Sequence, residues 1–239
     1  AAGELDAAGL KEVEDREIRK LISRQKAAGY HTITDGEFRR SYWHLDFMWG
    51  LQGIERRASR EGYQFHDEET TADTAVVTGP VSGENHPFVE HFKFVNALSD
   101  ENHVARQTIP GPIQTFAEVT LDRCDGQTEI LRAVYPTDEA LADAIAAAYR
   151  QVIADLYKAG CRNIQFDDCT WGMYCDTTFA AQIGLKPDDI QKICELGVRL
   201  NNAAIEDQPD DLAINTHVCR GNYHSTYAFE GSYDPIAPY

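Results

Sequence analysis

The sequence predicts an α/β fold of the (β/α)8, TIM-barrel type, and three observations carry the prediction. Helical and β-branched segments alternate along the 239 residues, and each strand-like run ends in polar residues. Within those runs apolar and polar side chains alternate, so one face would pack on helices while the other lines a mouth. No G-x-G-x-x-G or Walker-type loop is present, whereas a doubly wound sheet often carries one and is apolar on both faces. Catalytic groups of such barrels gather at the carboxyl ends of the strands.

Composition narrows the function classes. Hydrophobic content of 43% and charged content of 26% are those of a soluble globular protein. The length fits one large domain. The net charge of -17 argues against nucleic acid, whose phosphates need clustered Lys and Arg. No apolar run approaches the ~20 residues of a membrane span, and nothing at Ala1 resembles a signal peptide. Six cysteines (Cys124, Cys161, Cys169, Cys175, Cys194 and Cys219) show no framework spacing. Reduced thiols and a cytoplasmic location are the expectation.

In order along the chain, residues 11–28 read as a helix, with Leu10, Val13, Ile18, Leu21 and Ile22 at helical spacing and Gly29 as the stop. Residues 30–34 are a β-branched strand ending in the turn of Asp35, Gly36 and Glu37. Asp35 and Glu37 would share a face if the strand persists to Glu37; otherwise they are a solvated acidic tip. Tyr42, Trp43, His44, Phe47, Met48 and Trp49 then crowd together and require a core or a ligand to pack on. Trp43 is the substrate-binding candidate among them.

Residues 53–107 read as an insertion: a polar loop over 56–69, a strand over 74–80 broken by Gly79-Pro80, and an apolar run at 88–98 that fits helix or strand. Residues 108–113 are a strand end entering a turn, with both prolines outside any ladder. Residues 138–159 form the clearest helix, N-capped by Thr137 and stopped by Gly160. It leads into a strand on which Ile164 and Phe166 share one face and Gln165 and Asp167 the other. A helix over 188–202 and a loop over 207–211 precede the last strand, on which Asn215, His217 and Cys219 share a face.

Four strand ends result, near Glu37, Gly111, Asp168 and Cys219, expected as parallel neighbours in that order. An eight-stranded barrel uses ~250 residues at about 30 per unit. The intervals here are longer, so the chain is expected to be a single partial barrel over residues 1–239, incomplete at both ends.

His217 and Cys219 are an imidazole and a thiol sent the same way at a strand's carboxyl end, two ligands of the kind zinc prefers. The alternative is a buried cysteine beside a hydrogen-bonded histidine. His224 reads either as a proton donor or as a surface-loop histidine.

Taken together, Thr34-Asp35-Gly36-Glu37-Phe38-Arg39-Arg40-Ser41-Tyr42-Trp43-His44-Leu45-Asp46-Phe47, Ile109-Pro110-Gly111-Pro112-Ile113, Ile164-Gln165-Phe166-Asp167-Asp168 and His217-Val218-Cys219 resemble the cobalamin-independent methionine synthase superfamily, and more closely its short single-barrel relatives. The motifs occur in the family's order and cover nearly the whole chain. The resemblance implies a barrel with zinc at its mouth, held by His, Cys, Glu and Cys. His217 and Cys219 match the first two ligands; the Glu and the second Cys are expected beyond Tyr239. It further implies Glu37 and Asp167 as catalytic and substrate-binding carboxylates on homocysteine, with Asp167 on the amino group, and Asp35 and Trp43 in substrate binding. The implied reaction moves a methyl group from a methylated folate to the homocysteine thiol. Cys169, Cys175 and Cys194 match no ligand position. A related zinc-thiol alkyltransferase, a uroporphyrinogen-decarboxylase-like barrel or a non-catalytic barrel fragment are the competing readings.

Overall fold

A computed structural model describes residues 5–239. Helix α1 (Ala7–Ala27) is capped by Asp6, whose carboxylate accepts from Gly9 N at 2.8 Å, and it buries Ile18 and Ile22. Strand β1 (Thr32–Ile33) is shorter than the β-branched run suggested, because Gly36 and Glu37 turn the chain with φ of 64° and 61°. Strand alternation therefore does not reach Glu37. Helix α2 (Leu45–Gly50) carries the aromatic segment inward, burying Leu45, Phe47 and Met48.

Strands β2 (Gln52–Ala58) and β3 (Asp73–Ser82) form an antiparallel hairpin. Residues 56–58 are thus strand rather than loop, and β3 runs through Gly79-Pro80 instead of breaking there. A register shift between Gln52 and Ile54 makes this possible, because it leaves the glycine-proline stretch in a bulge where proline's missing N–H costs no ladder bond. Helix α3 (Phe88–Asn96) follows, burying Phe88, Phe92 and Val95 at helical spacing.

Strands β4 (Val104–Ala105) and β5 (Gln107–Pro110) are two parts of one run, interrupted at Arg106. Pro110 lies within the ladder opposite Asp167, against expectation. Gly111 N donates to Asp167 O at 2.8 Å, so by strand alternation Pro110 turns its missing N–H away from that neighbour. Pro112 does not sit in a turn but opens helix α4 (Pro112–Thr120), where a first-turn N–H is not needed. Helices α5 (Gln127–Val134) and α6 (Asp138–Lys158) come next. Thr137 caps α6 by accepting from Ala140 N at 3.2 Å. Strand β6 (Asn163–Asp167), helices α7 (Thr170–Cys175), α8 (Thr177–Gln182) and α9 (Pro187–Ala204), and strand β7 (Ala213–His217) complete the order.

The four expected strands are parallel and adjacent in chain order. β1 pairs with β4, β5 with β6, and β6 with β7, with Asp167 opposite His217 at the carboxyl end. Ile33, Ala105, Ile109, Ile164 and Phe166 are buried in one continuous core with the helices; the Phe166 ring meets Tyr149 of α6 at 6.2 Å. The other face carries Arg106, Thr108, Gln165, Asp167 and His217. This is a mixed α/β fold, but the expected barrel is not closed among the described residues. β7 pairs only with β6, and β1 only with β4. Closure requires the outermost strands to find each other, which a four-strand arc cannot do at barrel curvature. Among the described residues no helix is long and apolar enough to cross a membrane.

Candidate functional site

The polar carboxyl ends of the four strands converge. On the first loop, Asp35 Oδ1 accepts from Glu37 N at 2.9 Å, an Asx turn that holds Glu37 in the left-handed region. That conformation is costly for a side chain larger than glycine's, and the Asx hydrogen bond offsets part of the cost here. The turn sends Glu37 across to β5 rather than into solvent. Its Oε1 accepts from Thr108 Oγ1 at 2.8 Å and from Arg40 Nη1 at 3.0 Å. Arg40 also donates to Thr108 O at 2.8 Å and to Trp43 O at 3.1 Å, and its guanidinium lies over the Phe88 ring at 4.4 Å. The guanidinium therefore ties the acidic turn, the aromatic segment and β5 together.

A hydrogen-bonded row crosses the next three strand segments. Arg106 Nη1 donates to Gln165 Oε1 at 2.9 Å, and Gln165 Nε2 donates to Asp167 Oδ1 at 2.8 Å. His217 Nδ1 donates to the same oxygen at 2.8 Å. Among the described residues nothing donates to Asp167 Oδ2 or Glu37 Oε2, and nothing bonds His217 Nε2. Each carboxylate thus has one oxygen held by the protein and one free.

Burial pushes the Glu37 carboxyl above its ordinary range; Arg40 and the Thr108 hydroxyl pull it back, and the charges of Asp167 and Asp35 add to the rise. Behind the rim, Asp168 is fully buried. Its Oδ2 accepts from Trp171 Nε1 at 2.8 Å and Asn201 Nδ2 at 3.0 Å, while Oδ1 has no partner. Burial raises it to about 6, against those hydrogen bonds. Gly111 is required beside it: a Cβ there would stand 2.6 Å from Asp168 Oδ2.

Cys219 lies two residues past the end of β7, with its Sγ 3.0 Å from Cys169 Sγ. The Cys169 thiol, as donor, holds Cys219 down to about 6 against burial and is itself raised in exchange. Trp43 is half-buried, its ring 4.5 Å from that of His44. His224 is exposed and donates to Glu68 Oε2 at 2.7 Å, so the surface-loop reading holds for it.

The structure thus brings His217 onto Asp167, Glu37 onto Thr108 and Arg40, and Cys219 onto Cys169. The sequence gives Arg40 and Asp168 no role of their own, and Cys169 matches no ligand position in it. Alternation back from Asp167 does find Gln165, whereas Arg106 lies in the stretch read as insertion and meets Gln165 only through the register of β5 against β6. No sequence spacing reveals Cys169, fifty residues from its partner.

For the zinc that the resemblance implies, the donors present fit in kind. A metal-binding histidine characteristically gives its other ring N–H to a carboxylate, as His217 does to Asp167, and the thiolate is the form of cysteine that binds metal. The number falls short. Among the described residues no three His, Cys, Asp or Glu side chains are grouped to hold a metal ion, whereas catalytic zinc takes three protein ligands.

Fold and site define a class: a mixed α/β protein with imidazole, thiols and carboxylates at the ends of adjacent parallel strands. The family profile described as cobalamin-independent synthase, catalytic domain, matches residues 1–228, and the chain belongs to that family. It is 35% identical over 237 residues to the uncharacterized protein YxjH of Bacillus subtilis, covering 99% of this chain and 60% of that one. It is 35% identical over 240 residues to YxjG of the same organism, with the same coverage. The chain thus spans about 60% of the length of these relatives. Among solved structures, it is similar to a Listeria monocytogenes protein provisionally named a vitamin-B12-independent methionine synthase. That match has a TM-score of 0.72 and 34% identity, over 93% of this chain and 59% of that one. A B12-independent methionine synthase from Shewanella sp. W3-18-1 shares the fold, with a TM-score of 0.66 and 22% identity over 92% and 55% of the two chains.

Proposed function

We propose that this chain belongs to a zinc-dependent methyltransferase that moves a methyl group from a methylated folate to the thiol of homocysteine, in methionine biosynthesis. The observation that carries the reading is the pair of carboxylates with one oxygen each left free, beside an imidazole nitrogen that is also free. A substrate ammonium group brings three N–H donors, and Asp167 Oδ2 and Glu37 Oε2 are acceptors suited to it. Asp35 acts on that binding through the turn it imposes on Glu37.

His217 Nε2 and Cys219 Sγ would hold the zinc, with the family's Glu and second Cys proposed on sequence beyond Tyr239. Zinc, when bound, supplies the acidity that lets a thiol react as a thiolate near neutral pH. Asp167 fixes the His217 ring and its tautomer, Gln165 fixes Asp167, and Arg106 fixes Gln165. Trp43 offers an aromatic face to the methyl donor. In this reading the polar sheet face lines a (β/α)8 barrel, the insertion expected over 53–107 ends before β4, since residues 104–107 pair with barrel strands, and the protein works in the cytoplasm on small molecules.

Titration calorimetry on the zinc-treated chain tests the substrate class. Homocysteine is expected to bind at least tenfold tighter than a simple alkyl thiol without an ammonium group. Equal affinity for the two would overturn the amino-acid reading and favour an alkyltransferase for another thiol.

A further inference from the structure

The sulfur pair is the one nucleophilic cluster that the proposed reaction leaves half explained. Cys169 and Cys219 each stand two residues past Asp167 and His217, which face each other in the parallel register. The pairing continues past the ladder, since Asp168 N donates to His217 O at 2.9 Å. Neighbouring strands thus deliver both cysteines to matching places. Helix α7 holds them there: Gly172 in its first turn lies so close to the Cys219 carbonyl that a Cβ would collide with it. The resulting Sγ–Sγ separation of 3.0 Å is below an ordinary non-bonded contact (roughly 3.5–4.0 Å between carbons) and about 1 Å longer than a disulfide bond. Both sulfurs belong to partly exposed residues, whereas Cys124, Cys161, Cys175 and Cys194 are buried.

We propose that Cys169 and Cys219 are a modification site, converted by hydrogen peroxide into an intramolecular disulfide. The Cys219 sulfur, as thiolate, attacks one peroxide oxygen. The O–O bond breaks, a sulfenic acid forms, and the second oxygen leaves as water with the proton that Cys219 gave up. The Cys169 sulfur then attacks the sulfenyl sulfur. The S–S bond forms, and the sulfenyl oxygen leaves as a second water with the Cys169 proton. Two thiols supply two electrons, and one peroxide becomes two waters. A disulfide leaves Cys219 no thiolate for a metal, so oxidation and metal holding exclude each other. That consequence rests on the zinc reading; the cross-link itself does not.

The chain, reduced and stripped of metal by a chelator, is treated with one equivalent of hydrogen peroxide, alkylated and digested. The expected product is one cross-linked peptide pair containing Cys169 and Cys219, two hydrogens lighter than the reduced pair and lost on treatment with a thiol reductant. In Cys169→Ser the link is absent and Cys219 is trapped as a sulfenic acid by a 1,3-dione. Separate alkylation or separate over-oxidation of the two cysteines, or a link from Cys219 to another cysteine or to a second copy, would overturn the proposal. Zinc binding measured on the fully cross-linked chain should fall at least tenfold from that of the reduced chain. Unchanged zinc binding there would overturn the ligand role of Cys219 while the cross-link stands.

Discussion

Replacing Asp168 by Asn isolates the cost of ionising a carboxyl that the fold buries completely. Its Oδ2 receives Trp171 and Asn201, and its Oδ1 makes no hydrogen bond. An asparagine oxygen can serve the same two donors while its amide nitrogen takes the unpartnered position. Burial raises Asp168 from 3.8 to about 6. A group raised in this way contributes stability that is fully present below 3.8 and is lost as pH rises through about 6. At about 1.4 kcal/mol for each tenfold in proton affinity, the complete loss is about 3 kcal/mol. Between about pH 4.5 and pH 8 the variant should therefore gain about 2 kcal/mol on the wild type, because part of the change is already over at the lower pH. Urea denaturation of both proteins across that range measures the difference directly, and it cancels the pH dependence that the other carboxylates share. Parallel stability curves for variant and wild type would refute the reasoning.

Two further substitutions probe the same neighbourhood. Gly111→Ala should cost about 1–3 kcal/mol by overpacking against Asp168, seen as a lower urea midpoint; a double-mutant cycle with Asp168→Ala should recover most of it, and full additivity would count against the clash. Asp167→Asn should weaken homocysteine binding about ten- to a hundredfold, the roughly 1.5–3 kcal/mol of a charge-assisted contact, with zinc still bound, through a His217 ring that the amide oxygen can still accept from, but about tenfold more weakly; calorimetry reads both, and unchanged homocysteine affinity would make Asp167 a purely structural residue.

Much of this was legible in the sequence where local signals and long-range packing agree. Helix α6 shows its cap, its apolar stripe and its glycine stop in the primary structure, and its bounds were read nearly to the residue. The four parallel strands were legible because each pairs a buried β-branched or aromatic face with a polar end. Gly79-Pro80 misled because proline argues against a strand, and only the bulge opposite Gly53 shows why it is tolerated here. Helix α4 hid behind two prolines, one at a ladder's end and one at a helix start. Alternation gives Asp35 and Glu37 a shared face only if the strand persists to Glu37; it ends at Ile33, and a left-handed turn positions Glu37 instead of leaving it in solvent. Cys169 matches no ligand position, and its meeting with Cys219 is hidden because it depends on the register of β6 against β7, which no local pattern encodes.

Cobalt(II) titration of the reduced chain, followed by absorbance, reads directly whether His217 and Cys219 bind a metal ion. With His217 and Cys219 as ligands, a weak complex with a thiolate-to-cobalt charge-transfer band is expected, since the described residues group only part of a ligand set. The band should disappear in Cys219→Ser, and His217→Ala should weaken binding at least about tenfold, or roughly 1.4 kcal/mol. Cobalt affinity and spectrum left unchanged by both substitutions would mean that neither His217 nor Cys219 is a metal ligand.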